Sequence, residues 1–366
     1  MPWPNSGPLF CWSGSTIFLC ETRMRMLDHR CCPLTWRICL LLLGWLWIAP
    51  SLATAEVAIK FATLAPEGTP WMQIMREMSR EIERQTDGEV TFRFYPGGIA
   101  GDERDVVRKM RIKQLHGGAF SGFGLGLMLP ESRVLELPLL FRNAPEADHV
   151  VASMLPHFEK AFDQKGYVLL SLNEAGPVFI FSKSPLRTMQ DATQAKLWQW
   201  QGDTLVRAMF RAFGISPVPL ALPDVLPSLQ SGLIDSCYGT PLGVLAFQWF
   251  TQVKYRVLPA ITRLMGALVV TRHQWQKLSP NQQALVRETV KTYAAKATTS
   301  VRQYEQKALP LLTSSGIEDM SLSSDDVSHL QQRSEQLYQE LIGKLYPKEL
   351  LSRVLALRDQ YRQANP

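Results

Sequence analysis

Apolar residues recur with two different periods in the segment from residue 57 to residue 115. Val57, Ile59 and Phe61 alternate with their neighbours, which is the spacing of a strand over 57–64. Thr69-Pro70 is typical of a helix start, and apolar residues then follow at helical spacing until Gly88. Alternating apolar residues at 90–94 predict a second strand, and the pattern of residues 104–115 predicts a second helix. This order predicts an α/β fold in which helices cover a sheet with parallel strands.

The pattern starts again after residue 165. Helices are predicted after Asp203, over 223–230, from the capping box at Ser279 to about residue 312, and over 323–364. Neither an internal repeat nor a flexible linker separates the two halves. We therefore expect two α/β lobes joined by crossing strands, with a ligand-holding cleft between them. The strands of this second half are predicted at 166–172, 178–182, 196–200, 217–222 and 265–271.

A short apolar run, 38–49, follows Arg37 and precedes the small residues Ala53-Thr54-Ala55. This order of basic, apolar and small residues is that of a secretory signal peptide. We therefore predict a signal peptide over 1–55 and a periplasmic mature protein. The alternative is an uncleaved anchor, but the run is shorter than the roughly 20 residues that a spanning helix needs.

Composition and charge change this picture little. The chain has 366 residues, of which 46% are hydrophobic and 20% charged, as is ordinary for a globular protein. Its formal charge of +6 becomes 35 basic against 31 acidic residues once the four Arg and two acids before Ala55 are removed. Without a Lys/Arg run, this small excess does not indicate a nucleic-acid partner. Only Cys237 follows the predicted cleavage site, so no internal disulfide is expected.

Residues for catalysis or metal binding are hard to find. The segment around Gly122, Gly124 and Gly126 lacks the third glycine of a dinucleotide loop, and Ser121 is not in a nucleophile elbow. The histidines that follow the leader have no helical spacing and no cysteine pair, and Cys237 fits a buried structural thiol. We expect no enzyme activity, no cofactor and no metal site.

Two indoles are the most informative side chains. Trp198 and Trp200 are two residues apart in a predicted strand, so both point to one face. They precede Gly202-Asp203 at the carboxyl end of that strand, where open α/β sheets bind ligands. Packing of both rings in the core is the alternative to a wall of the cleft.

Several segments, in this order and spacing, resemble the solute-binding proteins of tripartite ATP-independent periplasmic (TRAP) transporters, the C4-dicarboxylate-binding-like or DctP-type family. The resemblance covers nearly the whole mature chain. Its segments are 94–98 (FYPGG), 100–104 (AGDER), 136–142 (ELPLLFR), 196–197 (KL), 213–219 (FGISPVP), 229–235 (LQSGLID) and 275–280 (WQKLSP).

The resemblance implies a two-lobed periplasmic-binding-protein fold with a long helix bracing both lobes. We place lobe I at 56–175 plus 264–303, and lobe II with the C-terminal helices at 176–263 plus 304–366. It also implies a small organic ligand and membrane permease subunits as partners. The helices over 323–364 either brace the lobes or form a homodimer contact.

The chain departs from the family at the ligand. Typical members have an arginine after the Lys-Leu pair that clamps a carboxylate, and Trp198 stands there; near the crossover, Gly176 is followed by Pro177 and Val178. We therefore expect an apolar, aromatic or amphipathic ligand. A carboxylate held by Arg207 is one alternative, and a periplasmic sensor subunit is another. The predicted ligand-binding residues are Leu64, Glu67, Ser121, Glu174, Val178, Trp198, Trp200, Leu222, Tyr238 and Thr240.

Overall fold

The computed structural model describes residues 56–366, and the predicted signal peptide over 1–55 lies outside this range. Within it, none of the helices combines the length and the apolar character that crossing a bilayer requires.

Strands and helices alternate along most of this range. The strands are β1 Val57–Ala62, β2 Val90–Tyr95, β3 Gly117–Ser121, β4 Tyr167–Ser182, β5 Trp198–Trp200, β6 Val218–Leu220, β7 Ser236–Gly239, β8 Tyr255–Thr271 and β9 Glu318–Ser321. The helices are α1 Pro70–Gln85, α2 Glu103–Arg111, α3 Gly122–Met128, α4 Ala144–Gln164, α5 Met189–Gln194, α6 Thr204–Ala212, α7 Val225–Ser231, α8 Pro241–Ala246, α9 Arg272–Trp275, α10 Pro280–Ser314, α11 Ser324–Glu340 and α12 Lys348–Ala364. Short 3-10 turns cover Pro130–Glu136, Leu222–Asp224 and Trp249–Thr251.

The sequence predicts a sheet with parallel strands. The main sheet of the structure contains both parallel and antiparallel pairs. Its order is β2-β1-β3-β8-β4-β7, and β9 adds to β8. β1 runs parallel to β2 and β3, but β8 is antiparallel to both β3 and β4. A small parallel pair, β5-β6, is connected to β7 through a bridge between Leu197 and Ser236.

Two long strands, β4 and β8, run through both lobes. Their first paired region, Tyr167↔Thr271 to Glu174↔Met265, carries β3. Beyond a register shift between Glu174 and Pro177, the second region carries β7 and β9. The segments 166–172 and 178–182 are therefore one continuous strand. The exact lobe boundaries stay a prediction.

The capping box at the start of the long helix is confirmed. Ser279 Oγ accepts a hydrogen bond from Gln282 N, and Gln282 Oε1 accepts one from Ser279 N. Helix α10 then packs on α1, β4 and α8, so it contacts elements of both lobes. This is the bracing helix that the family resemblance implies.

The C-terminal helices pack within the chain. α11 lies against α6, and α12 lies against α4. Their apolar faces bury Leu330, Leu337, Leu351 and Val354 in the main core. These contacts suit the bracing role, and the homodimer stays a prediction.

Candidate functional site

A cavity of about 190 Å³ lies where side chains of both lobes meet. Leu64 and Ser121 come from the first lobe, on the loop after β1 and at the end of β3. Trp198 and Leu222 come from the second lobe, on β5 and just after β6. Eight of the ten predicted ligand-binding residues line this cavity: Leu64, Ser121, Val178, Trp198, Trp200, Leu222, Tyr238 and Thr240.

The two remaining predicted residues lie elsewhere. Glu174 lines a second cavity of about 310 Å³, which adjoins the first because Leu64, Ser121 and Thr240 line both. Glu67 lines neither cavity; its carboxylate pairs with Arg76 at 2.9 Å, on an exposed surface.

An aromatic cluster forms one wall of the first cavity. The Trp198 ring stacks on Tyr238 with 4.7 Å between centroids and 18° between planes, and it meets Trp249 edge-on at 5.4 Å. Its Nε1 donates to the Leu220 carbonyl at 3.0 Å, so the indole is held in one orientation. Trp198 is 1% exposed and Trp200 7% exposed, but both still line the cavity. The two indoles are therefore packed in the core and also form part of the cavity wall.

Arg133 is the only lysine or arginine that lines either cavity in the range 56–366. Its guanidinium, 5% exposed, pairs with Glu136 on one side and with Asp203 at 2.8 Å on the other. Burial alone would lower the pKa of Arg133, but these carboxylates hold it above its ordinary value. Burial raises the pKa of Glu136, although the charge of Arg133 and the hydrogen bond from the Met265 N–H both act to lower it. Arg133 therefore has both sides occupied before any ligand arrives.

Asp203 has two roles in the structure. One carboxylate oxygen accepts from Val206 N at 3.1 Å and caps α6, while the other holds Arg133. The side chain is thus a helix cap and also part of the cavity wall.

A third buried carboxylate, Glu103, lines the same cavity from the first turn of α2. It accepts from Ser121 N at 2.7 Å, Ser121 Oγ at 2.8 Å and Gly124 N at 2.7 Å. Burial nevertheless raises the pKa of Glu103 to about 7. The nearby glycines allow these approaches, since a Cβ at Gly122 would collide with the Glu136 carboxylate and one at Gly124 would come 2.5 Å from Glu103. The glycine-rich segment therefore makes room for buried carboxylates.

Two hydrogen bonds connect the lobes at the rim of the site. Trp200 Nε1 donates to the Asp102 carboxylate at 2.8 Å, joining the end of β5 to the turn before α2. Arg104 donates to the Gln201 carbonyl at 2.5 Å beside it. The Trp200 ring also packs on Phe123 at 4.9 Å between centroids. Trp200 therefore contacts first-lobe residues while lining the cavity.

The thiol and the possible metal ligands of the described residues are arranged as follows. Cys237 is buried in β7, and burial raises the pKa of its thiol, which favours the unreactive form. In the range 56–366, His, Cys, Asp and Glu side chains form no cluster suited to a metal ion.

Sequence reasoning missed several side chains that line the two cavities. Glu103 and Glu136 lie in segments 100–104 and 136–142, which resemble the family. No local sequence pattern indicates that their carboxyl groups are buried. Arg133 meets Asp203 across 70 positions of the chain, which no local pattern reveals. Arg207, the alternative carboxylate partner, is exposed on α6 and lines neither cavity. The missed lining residues include Glu103, Arg133, Glu136, Phe247, Trp249 and Glu305.

The sequence profile of the DctP family, described as bacterial extracellular solute-binding protein, family 7, matches residues 61–344. The chain belongs to this family. This DctP-family protein is of the TRAP type, as the resemblance implied. The family is one of transport proteins and not of enzymes, and its members are periplasmic subunits that bind small organic solutes for TRAP membrane permeases.

Relatives of the DctP-family protein are distant in sequence but extensive in coverage. It is 22% identical to a solute-binding protein of Chromohalobacter salexigens over 80% of its own length and 87% of the relative's. It is 21% identical to the sialic acid-binding periplasmic protein SiaP of Vibrio cholerae, over 80% and 90% respectively.

Solved structures share the fold. The TRAP periplasmic solute-binding protein of Haemophilus influenzae with bound L-gulonate superposes with a TM-score of 0.77 at 21% identity. The superposition covers 83% of this chain and 99% of that one. The two-lobed α/β architecture predicted from the sequence is therefore confirmed.

Proposed function

We propose that this DctP-family protein receives an apolar, aromatic or amphipathic small molecule in the periplasm and delivers it to TRAP membrane permease subunits. One observation carries the choice of ligand. Arg133, the only basic side chain lining the cavities in the described part of the chain, is already held by Glu136 and Asp203. The position after the Lys-Leu pair is Trp198, stacked on Tyr238.

The magnitudes favour an apolar ligand over a carboxylate. A buried carboxylate without its charged partner loses about 2–5 kcal/mol of binding free energy. Stacking on an aromatic ring returns about 0.5–1.5 kcal/mol. The difference leaves a small dicarboxylate poorly bound. Similar proteins with solved structures are described with organic acids such as beta-D-galacturonate and orotic acid, and the ligand proposed for this chain differs from these in chemistry.

Native mass spectrometry of the protein purified from a periplasmic extract tests the proposal directly. The expected result is a retained small molecule with an aromatic or aliphatic body and no more than one carboxylate. A retained dicarboxylate or sugar acid contradicts the proposed ligand class. Loss of the retained mass on gentle unfolding shows that it came from the folded site.

The bond between Trp200 and Asp102 is expected to support closure over this ligand. Replacing Trp200 by Phe keeps an aromatic ring near Phe123 and removes the N–H donor together with part of the indole ring. A hydrogen bond to a charged group contributes about 1.5–3 kcal/mol when desolvated, and less at a rim, so we expect the affinity for 2-phenylethanol to fall about 3- to 10-fold. Indole fluorescence during titration measures it.

The matched control is Asp102→Asn, which keeps an acceptor for the indole and a cap for α2. Its affinity is expected to lie between those of the wild type and Trp200→Phe. Equal affinities in all three proteins would show that this bond has no role in closure.

A further inference from the structure

Carboxylates outnumber basic groups around the two adjoining cavities. Arg133 is their only basic lining residue in the part of the chain that the structure describes. Behind the walls, Arg263 and Arg302 both pair with Glu174, and Arg302 also pairs with Asp148. The acidic side chains lining the cavities are Glu103, Glu136, Glu174, Asp203 and Glu305.

Most of these carboxylates are engaged with protein groups. Glu136 and Asp203 hold Arg133, Glu174 holds Arg263, and Glu103 accepts three hydrogen bonds from the start of α3. They are therefore explained by the fold, and on their own they indicate no ligand.

Glu305 is different. It comes from α10, lines the second cavity and is 8% exposed. Its Oε2 accepts from Leu242 N at 3.2 Å, but its Oε1 accepts no hydrogen bond from any described residue. The nearby Thr240 hydroxyl lowers the pKa of this carboxyl, but it forms no hydrogen bond to Oε1. A buried carboxylate oxygen without a donor is costly unless another molecule supplies one.

The backbone leaves room at this oxygen. Gly176 has a φ of +116° in the crossover part of β4, and a Cβ there would come 2.8 Å from Glu305 Oε1. The glycine lets β4 pass close to this buried oxygen, while the Glu305 side chain as a whole lines the second cavity. Thr240 and Phe247 line both cavities, so the cavity at Glu305 adjoins the one that the aromatic wall at Trp198 lines.

We propose that the ligand is an organic ammonium ion. Its apolar body lies against the aromatic wall, and its N–H donates to the Glu305 carboxylate. The inference rests on the proposed function and names the polar end of the proposed ligand. An ammonium group supplies a further donor to this buried carboxyl and carries the charge that the acidic lining favours, whereas a carboxylate would meet like charge.

The titration of Glu305 adds a dependence on pH. Burial raises its pKa to about 7, opposed by the Thr240 hydroxyl, the Leu242 N–H and Arg263 on β8, while Glu174 on β4 raises it further. Arg302 and Tyr304 flank it on α10. An ammonium ion binds the ionised carboxylate, so its affinity increases as pH rises through 7. Between pH 6 and pH 8 we expect an increase of about 5- to 10-fold.

Three probes with the same aromatic body separate the alternatives. 2-Phenylethylammonium, 2-phenylethanol and 3-phenylpropionate are titrated into the full chain at pH 8, with indole fluorescence and calorimetry as readouts. The wild type is expected to bind the ammonium ion about tenfold more tightly than the alcohol, and the carboxylate more weakly than both. Equal or tighter binding of the carboxylate overturns this inference. Failure of all three to bind overturns the aromatic ligand of the proposed function instead.

The variant Glu305→Gln removes the charge and keeps the shape. It is expected to bind the ammonium ion about tenfold more weakly and to leave the alcohol within about twofold. Glu288→Gln makes the same change at an exposed position of the same helix and is expected to change neither. Equal losses for the ammonium ion and the alcohol in Glu305→Gln show a structural role only. Should Glu305→Gln not fold, the wild-type pH series decides, and affinity for the ammonium ion that is flat between pH 6 and pH 8 overturns the proposal.

Discussion

Replacing Arg133 by methionine is expected to lower the free energy of unfolding by about 3–5 kcal/mol. Arg133 is buried, and its guanidinium holds Glu136 and Asp203 on opposite sides. Methionine fills a similar volume but leaves two buried carboxylates without a counter-charge. The loss of unfolding free energy comes from uncompensated charge. We therefore expect it to exceed the loss that the small change in side-chain volume alone would cause.

The pH dependence of that deficit identifies its cause. Protonation neutralises the orphaned carboxylates, so the difference from the wild type should shrink between pH 8 and pH 5. Urea unfolding at both pH values measures it. The control is Arg207→Met, the same change at an exposed position on α6, which is expected to stay within about 0.5 kcal/mol of the wild type. A deficit for Arg133→Met that does not change with pH would contradict the charge argument.

Truncation of Trp198 to alanine is the second large effect. The indole is buried, stacks on Tyr238 and donates to the Leu220 carbonyl. Its removal is expected to lower the free energy of unfolding by about 3–5 kcal/mol and to enlarge the first cavity. The affinity for 2-phenylethanol should fall up to about tenfold, because one stacking face is lost.

A control separates stability from binding. Trp275→Ala removes another buried indole, one that lies outside both cavities in the core beneath α1. We expect a similar loss of stability with the affinity for 2-phenylethanol unchanged. If both variants lose affinity equally, the effect of Trp198 is one of general stability and the aromatic wall is not a ligand contact.

Local signals made much of the fold predictable. The Thr69-Pro70 start of α1 and the capping box before α10 appear where the sequence indicates them, because caps depend on residues only a few positions apart. Alternating apolar residues likewise marked β1 and β2. The two-lobed arrangement was predicted from the restart of the pattern and from the family resemblance.

Irregular positions account for what the sequence did not reveal. Gly176 and Pro177 divide β4 in the pattern, but they mark a register shift inside one strand that crosses between lobes. Pro259 likewise interrupts the strand pattern of β8, so the sequence predicts only the second half of this strand. Helix α4 contains Pro156, and β3 contains two glycines, so neither element has a clear local signature.

The candidate site was predictable only in part. The alternation of Trp198 and Trp200 predicts two rings on one face of a strand, and both residues line the first cavity. The carboxylates and the paired Arg133 were not predictable, because they meet through contacts between residues far apart in the chain. Glu305 lies on the bracing helix, whose mixed pattern does not distinguish a cleft-facing glutamate from a solvated one.

Calorimetric titration of the wild-type protein with succinate tests the central claim most directly. With Trp198 at the position after the Lys-Leu pair and Arg133 already paired, we predict no binding of succinate in the micromolar range, while 2-phenylethanol binds the same preparation. A micromolar dissociation constant for succinate would contradict the claim that aromatic rings, and not a guanidinium, receive the ligand.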